Sequence, residues 1–301
     1  MPARYRGPVL LPPGELAAIG NFYLRVKILA EGAVAGLHKS PYHGFSSEFL
    51  EHRPYMPGES SRYIDWRKYA KTDRTVVRLF EDETNLAAHL LLDKSNSMAF
   101  AGSAPCGKFE YARTLAGALA WLLIRQRDAA GLALFDERTR RFMPPRSTGR
   151  QLSAILTVLS RTEPGGGTHC GSALEEAAAR ISRRGLCIVF SDLLDDTEPV
   201  VRALRRLRFN HQDVLVFWIT APDETALRTT GPVRLNDMET GAEAVLDGRT
   251  ATTFLHEGFQ RHRQRIGQAC RDLNIDLEEV STIEPFAAPL MRVLEKRRRL
   301  L

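Results

Sequence analysis

Asp93, Ser95 and Ser97 alternate in Asp93-Lys94-Ser95-Asn96-Ser97, directly after the apolar run Ala87-Ala88-His89-Leu90-Leu91-Leu92. One carboxylate and two hydroxyls at i, i+2 and i+4 of a turn present three oxygen donors that can converge on one hard cation. A second element must supply more oxygens, and the chain has two candidates. Gly165-Gly166-Gly167-Thr168 delivers a hydroxyl on a flexible loop ahead of a helical pattern, and Asp192 ends the apolar run that starts at Gly185. Hydroxyls supply oxygen without charge, so a cation held this way stays electrophilic. Its natural occupant from outside is the carboxylate of an Asp or Glu on a partner protein.

The elements that must position these residues follow from hydrophobic period. Ala87–Leu92, Asp128–Phe135, Gly185–Phe190 and Asp213–Ile219 are short apolar runs of the kind that form buried parallel strands, with Arg140–Met143 as an edge strand. Phe109–Arg127, Gly149–Leu159, Gly171–Ile181 and Glu198–Leu207 carry helical spacing between them. Strands separated by helices of this length predict an α/β fold, a doubly wound and mostly parallel sheet covered on both faces. In such sheets ligands bind beyond the carboxyl ends of the strands, where strand order reverses. Val233–Leu246, with Thr240-Gly241 between two half-apolar runs, reads as a hairpin inserted near 232–247. Thr252–Leu273 is expected as a long helix, Ile275–Val280 as a last strand and Pro285–Arg298 as a closing helix, all completing residues 86–301 as one domain. Residues 1–85 are expected as an N-terminal arm packed on that domain. They hold an amphipathic segment, Leu16–Leu37, and then a loop-rich stretch.

Composition narrows the function classes. With 301 residues, 44% hydrophobic and 26% charged, the chain has the balance of a folded globular protein. Its longest uninterrupted apolar run, Leu115–Ile124, falls short of the roughly 20 residues a bilayer span needs. No apolar signal core follows Met1-Pro2-Ala3-Arg4, so the expected location is the cytoplasm and no membrane contact is expected. Cys106, Cys170, Cys187 and Cys270 lie too far apart for the close pairs of a structural zinc site, and Cys187 reads as a reduced core residue.

Enzymatic alternatives have weaker sequence support. A metal-dependent phosphohydrolase would use Asp93 as nucleophile, but the haloacid-dehalogenase pattern wants an Asp two residues later, where Ser95 stands. No Gly-x-x-x-x-Gly-Lys-Ser/Thr phosphate loop and no Gly-x-Ser-x-Gly elbow occurs. His169, beside Thr168, reads as a rim residue rather than a base. The net charge of +6 admits an acidic partner, and a nucleic-acid-binding module would use the Arg202–Arg208 face. That face lacks aromatic interleaving, so nucleic acid is not the expected partner.

The Asp-x-Ser-x-Ser, Thr, Asp series resembles the metal-ion-dependent adhesion site of von Willebrand factor A domains. The resemblance implies Ser95, Ser97 and Thr168 as near ligands of Mg²⁺ or Mn²⁺, with Asp93 and Asp192 acting largely through water. Gly44–Glu59 followed by Arg62-Tyr63-Ile64-Asp65-Trp66-Arg67, with Asp237–Gly241 in the later hairpin, is similar to the bacterial family called domain of unknown function 58. That family is found with MoxR-type AAA+ ATPases. It implies an adaptor for such an ATPase that helps mature or remodel a client protein, not an enzyme. In the arm, Glu48, Glu51, Arg53, Arg62, Asp65 and Arg67 read as a charge network tying it down, and Tyr55 and Trp66 as packing anchors.

Overall fold

The computed structural model describes residues 11–38, 51–54, 69, 75–79, 86–167, 169–225, 231–236 and 243–298. The chain divides into two compact units, Met1–Ser40 with Leu86–Leu301, and Pro41–Asn85. The expected arm covered residues 1–85, whereas the structure groups the first forty with the main unit. The physical reason is the apolar face of helix α2 (Phe22–His38), which adds Phe22, Val26, Leu29, Ala30 and Ala33 to the main core. In the smaller unit, β1 (Glu51–Pro54) pairs antiparallel with β2 (Val76–Leu79). The arm motifs Gly44–Leu50, Tyr55–Glu59 and Arg62–Arg67 lie outside the described residues.

The main unit is built on a six-stranded sheet. Its strands are β3 (Ala87–Asp93), β4 (Ala129–Phe135), β5 (Thr139–Arg146), β6 (Gly185–Ser191), β7 (Gln212–Thr220) and β10 (Asp276–Ser281), in the spatial order β10-β7-β6-β3-β4-β5. All neighbours are parallel except β5, which closes one edge antiparallel to β4. Between the strands run α3 (Lys108–Arg125), α4 (Gly149–Arg161), α5 (Cys170–Arg180), α6 (Thr197–Phe209), α7 (Pro222–Thr225), α8 (Gly248–Asp272) and α9 (Ala287–Arg298), with α1 (Pro13–Ala17) ahead of α2. This is the doubly wound α/β sheet that the hydrophobic periods predict. The hairpin β8 (Val233–Asn236) and β9 (Glu243–Leu246) forms its own two-stranded sheet. The expected Thr240-Gly241 turn and the Asp237–Gly241 motif around it lie outside the described residues.

Alternation along the strands sorts the core into two layers. Leu90 and Leu92 of β3, Ile188 and Phe190 of β6, and Leu215 and Phe217 of β7 pack with Val26, Leu115, Ile155 and Leu290 from α2, α3, α4 and α9. Leu91, Val189, Val214 and Val216 pack on the other face with Leu174, Leu204 and Ile266 from α5, α6 and α8. β3 and β6 are buried on both faces, which explains their uninterrupted apolar runs. The four cysteines are free and buried.

The amphipathic Leu16–Leu37 segment takes in the end of α1 and nearly all of α2. Asn21 Oδ1 accepts the Leu24 N–H at 3.1 Å, a side-chain cap that starts α2 afresh. Arg25 stabilises the bend, donating to Ala17 O at 2.9 Å and Ile19 O at 2.8 Å while pairing with Glu110 on α3. Helix α3 meets α2 closely at Gly117, where a Cβ would stand 2.7 Å from Val26 Cγ2. Gly117→Val is therefore expected to lower unfolding stability by about 1–3 kcal/mol, the usual cost of overpacking. Denaturant unfolding should show most of that loss recovered in a Val26→Ala background; an equal loss in both backgrounds would place the strain elsewhere.

Candidate metal centre

Strand order reverses between β3 and β6. From β3 the chain moves through α3 to β4 on one side, and from β6 through α6 to β7 on the other. Their carboxyl ends therefore open the crevice where ligands bind in doubly wound sheets. Asp93 is the last residue of β3, and Asp192 directly follows β6. The pairing of Leu92 with Phe190 sets the two strand ends side by side.

The turn after β3 is bound tightly to itself and to β6. Asp93 is 1% exposed; its Oδ1 accepts the Ser95 N–H at 2.9 Å and its Oδ2 accepts the Ser191 hydroxyl at 2.6 Å. Ser95 precedes a short 3₁₀ turn, Asn96–Ala99, which brings Ser97 back so that the two Oγ atoms stand 3.1 Å apart. Adjacent ligands of an octahedron with metal–oxygen distances of roughly 2.0–2.1 Å stand roughly 2.9 Å apart. The two hydroxyls thus have the separation of neighbouring Mg²⁺ ligands, with Asp93 beside them. Among the described residues no group of three or more His, Cys, Asp or Glu side chains gathers to hold a metal ion. Hydroxyl oxygens would have to supply much of any coordination, which favours a hard cation over a soft one.

Asp192 is held differently. Its Oδ1 accepts the Leu194 N–H at 3.1 Å and its Oδ2 accepts from Lys108 Nζ at 2.6 Å. Lys108 is fully buried and also pairs with Glu224 of α7. Burial works against its charge, but Asp192 and Glu224 outweigh that cost and hold its pKa above the ordinary lysine value. Between the two aspartates, Ser191 Oγ accepts the Leu193 N–H at 2.9 Å, and Leu193 itself sits in the left-handed region with φ +52°. Its carbonyl lies 2.9 Å from His262 Nε2 on α8. A carbonyl only accepts, so in that bond Nε2 is the protonated nitrogen.

The glycine loop is fastened to the same turn. Gly165 N–H donates to Lys94 O at 2.6 Å, Lys94 Nζ donates to Gly165 O at 2.5 Å, and Asn96 N–H donates to Gly166 O at 3.0 Å. Gly166 has φ +100°, and a Cβ there would meet Asp136 Oδ2 at 2.8 Å, so the position requires glycine twice over. Against the cost of burial, hydrogen bonds from Arg140, the Arg138 amide and Lys94 hold Asp136 below the usual carboxylate range. Thr168, at the end of this loop, lies outside the described residues. Asp93, Ser95, Ser97 and Asp192 are therefore brought together, and the loop leading to Thr168 reaches them.

Ser191, Lys108, Glu224 and His262 were not singled out from sequence, although Ser191 and Lys108 bind the candidate aspartates, Glu224 binds Lys108 and His262 binds the carbonyl beside Asp192. Lys108 left one signal: a cation at the first position of a helix opposes the helix dipole. His169 is exposed, in keeping with a rim position. On α6, Arg208 donates to Leu273 O at 3.0 Å and Gln212 O at 2.8 Å, while Arg202, Arg205 and Arg206 are exposed.

Burial, and next the charge of Asp192, raises the Asp93 carboxyl from 3.8 to about 7, although hydrogen bonds from Ser191 and Ser95 pull the other way. Between those two values the folded chain keeps a proton that the unfolded chain releases. Without divalent ions, stability should therefore fall as pH rises from about 4 to about 7. Asp93→Asn removes this contribution. Denaturant unfolding in chelator at pH 5 and pH 8 checks it: wild type should lose more stability than the variant, and equal losses would contradict the assignment.

Uncharacterized protein Rv1480 of Mycobacterium tuberculosis is 29% identical over 308 residues, covering 99% of this chain and 94% of its own. Among solved structures, BatB of Bacteroides thetaiotaomicron matches with TM-score 0.46 and 17% identity, over 70% of this chain and 98% of that one. An aerotolerance-related membrane protein from Bacteroides fragilis matches with TM-score 0.47 and 18% identity, over 71% and 98%. The family described as "Protein of unknown function DUF58" matches residues 51–268, most of the chain, and the chain belongs to that family.

Proposed function

We propose that this chain is a metal-dependent protein-binding adaptor of a MoxR-type AAA+ ATPase system, capturing an acidic residue of a partner through a divalent ion. Membership of the DUF58 family and the doubly wound fold support a protein-interaction module. The observation that carries the finer reading is the Ser95–Ser97 oxygen pair, 3.1 Å apart beside the Asp93 carboxylate at the strand-order reversal. Asp93, Ser95 and Ser97 would hold Mg²⁺ or Mn²⁺, with Thr168 from the glycine loop and Asp192 from across the crevice. When bound, the ion supplies an electrophilic position for an external carboxylate.

The chain's own residues keep that position a binding site. Both oxygens of Asp93 are already engaged, by the Ser95 amide and the Ser191 hydroxyl. A carboxylate so occupied is a poor nucleophile, and no acid or base stands at position 95. The phosphohydrolase reading therefore finds less support than the adaptor reading, and no catalytic role is proposed. Among the described residues no helix is long and apolar enough to cross a membrane. The client protein is expected to present an exposed Asp or Glu.

Two measurements test this reading. In calorimetric titration, Mg²⁺ should bind the wild-type chain, Asp93→Ala should abolish the signal, and Ser95→Ala should weaken affinity about 10–100-fold, the scale of losing one member of a metal site. Equal binding by all three chains would sink the metal assignment. A pull-down with the MoxR-type ATPase should succeed in magnesium and fail in chelator. Capture that persists in chelator would mean that no metal mediates the contact.

A further inference from the structure

Lys108 is the buried charged group that the metal reading leaves unexplained. It stands in the first turn of α3, where the helix dipole disfavours a cation, and it is fully buried, where an unpaired ammonium is costly. Such a lysine is stable only with anionic partners. It has Asp192 Oδ2 at 2.6 Å and Glu224 from α7, and its Nζ lies 5.9 Å from the centre of the Phe100 ring. No element besides this cluster receives its charge among the described contacts. Asp192 is thus a carboxylate with an ammonium already on one oxygen and an amide on the other.

We propose that Lys108 is a resident cation of this centre, which competes with the divalent ion for Asp192 and keeps that ion weakly held and electrophilic; the proposal rests on the metal reading of Asp93, Ser95 and Ser97. Charge counting shows the effect. Lys108 pairs with two carboxylates, Asp192 and Glu224, and the charge of Asp192 also acts on a third, Asp93, so the group holds three carboxylates and one ammonium. With Lys108 in place, a divalent ion brings the ionised group to neutrality. Without it, the same ion would meet an excess of negative charge, bind more tightly and have less charge left for an incoming carboxylate. The ammonium also occupies one Asp192 oxygen, which discourages that residue from replacing a metal-bound water. Glu224 has the opposite sign of effect, because it offsets part of the Lys108 charge.

Opposite signs separate this role from a merely structural one. Mg²⁺ alone is titrated calorimetrically at pH 8 into the full-length wild type, Lys108→Gln and Glu224→Gln, with the fold of each checked by circular dichroism. Lys108→Gln should bind Mg²⁺ at least about tenfold more tightly, and Glu224→Gln several-fold more weakly, as expected for one unit charge near the ion. Unchanged or weaker binding by Lys108→Gln overturns the proposal while leaving the metal site standing. Should Lys108→Gln fail to fold, Glu224→Gln decides: affinity equal to or tighter than wild type overturns it. If no chain binds Mg²⁺, the metal reading itself falls, and the resident-cation role falls with it.

Discussion

Asp93 and Asp192 are carried to the same place by the reversal of strand order between β3 and β6, and both are almost wholly buried there. Two carboxylates with so little water repel each other, so everything around them has to compensate. The compensation is distributed unevenly. Asp93 receives only neutral donors, the Ser95 amide and the Ser191 hydroxyl, and its pKa rises. Asp192 receives a full positive charge from Lys108. One aspartate is left short of positive charge and the other is satisfied.

That asymmetry accounts for the surrounding architecture. Lys108 pairs with Glu224, which links the carboxylate cluster to α7 beyond β7. His262 on α8 meets the carbonyl of Leu193, whose amide donates to Ser191, the residue that donates to Asp93. On the other side, Lys94 and Asn96 bind the backbone of Gly165 and Gly166, with Asp136 and Arg140 behind them. The three turns around the crevice are thus joined by backbone and charged contacts. Such contacts have directional geometry, which suits loops that must hold oxygen atoms at fixed separations.

The sheet below supplies the rigidity these turns depend on. β3 and β6 are apolar on both faces and pack between two layers of helices, so their carboxyl ends have little freedom. Helix α2 thickens one layer, with Gly117 letting it approach α3 and Arg25 closing the bend before it. Residues far from the crevice therefore contribute to its precision by fixing the positions of the strand ends.

Much of this was legible in the sequence, because it depends on local pattern. Continuous apolar runs at Leu90–Leu92 and Leu186–Phe190 marked the buried strands, and the alternating oxygens of Asp93, Ser95 and Ser97 marked the turn beyond them. Helical spacing identified α3 through α6, and the family resemblance rested on motifs that a linear string displays in full. The partners that set the electrostatics were not legible. Lys108 and Asp192 are 84 residues apart, Lys108 and Glu224 are 116 apart, and Ser191 reaches Asp93 across 98. The fresh start of α2 at Asn21 was equally hidden, since a 3.6-residue period continues through a cap. Sequence by itself determined which residues had the chemistry to serve as ligands and which segments would be strands. Only the tertiary structure decided which charge faces which, because burial and distance set the strength of a charge pair, and neither is a property of the chain before it folds.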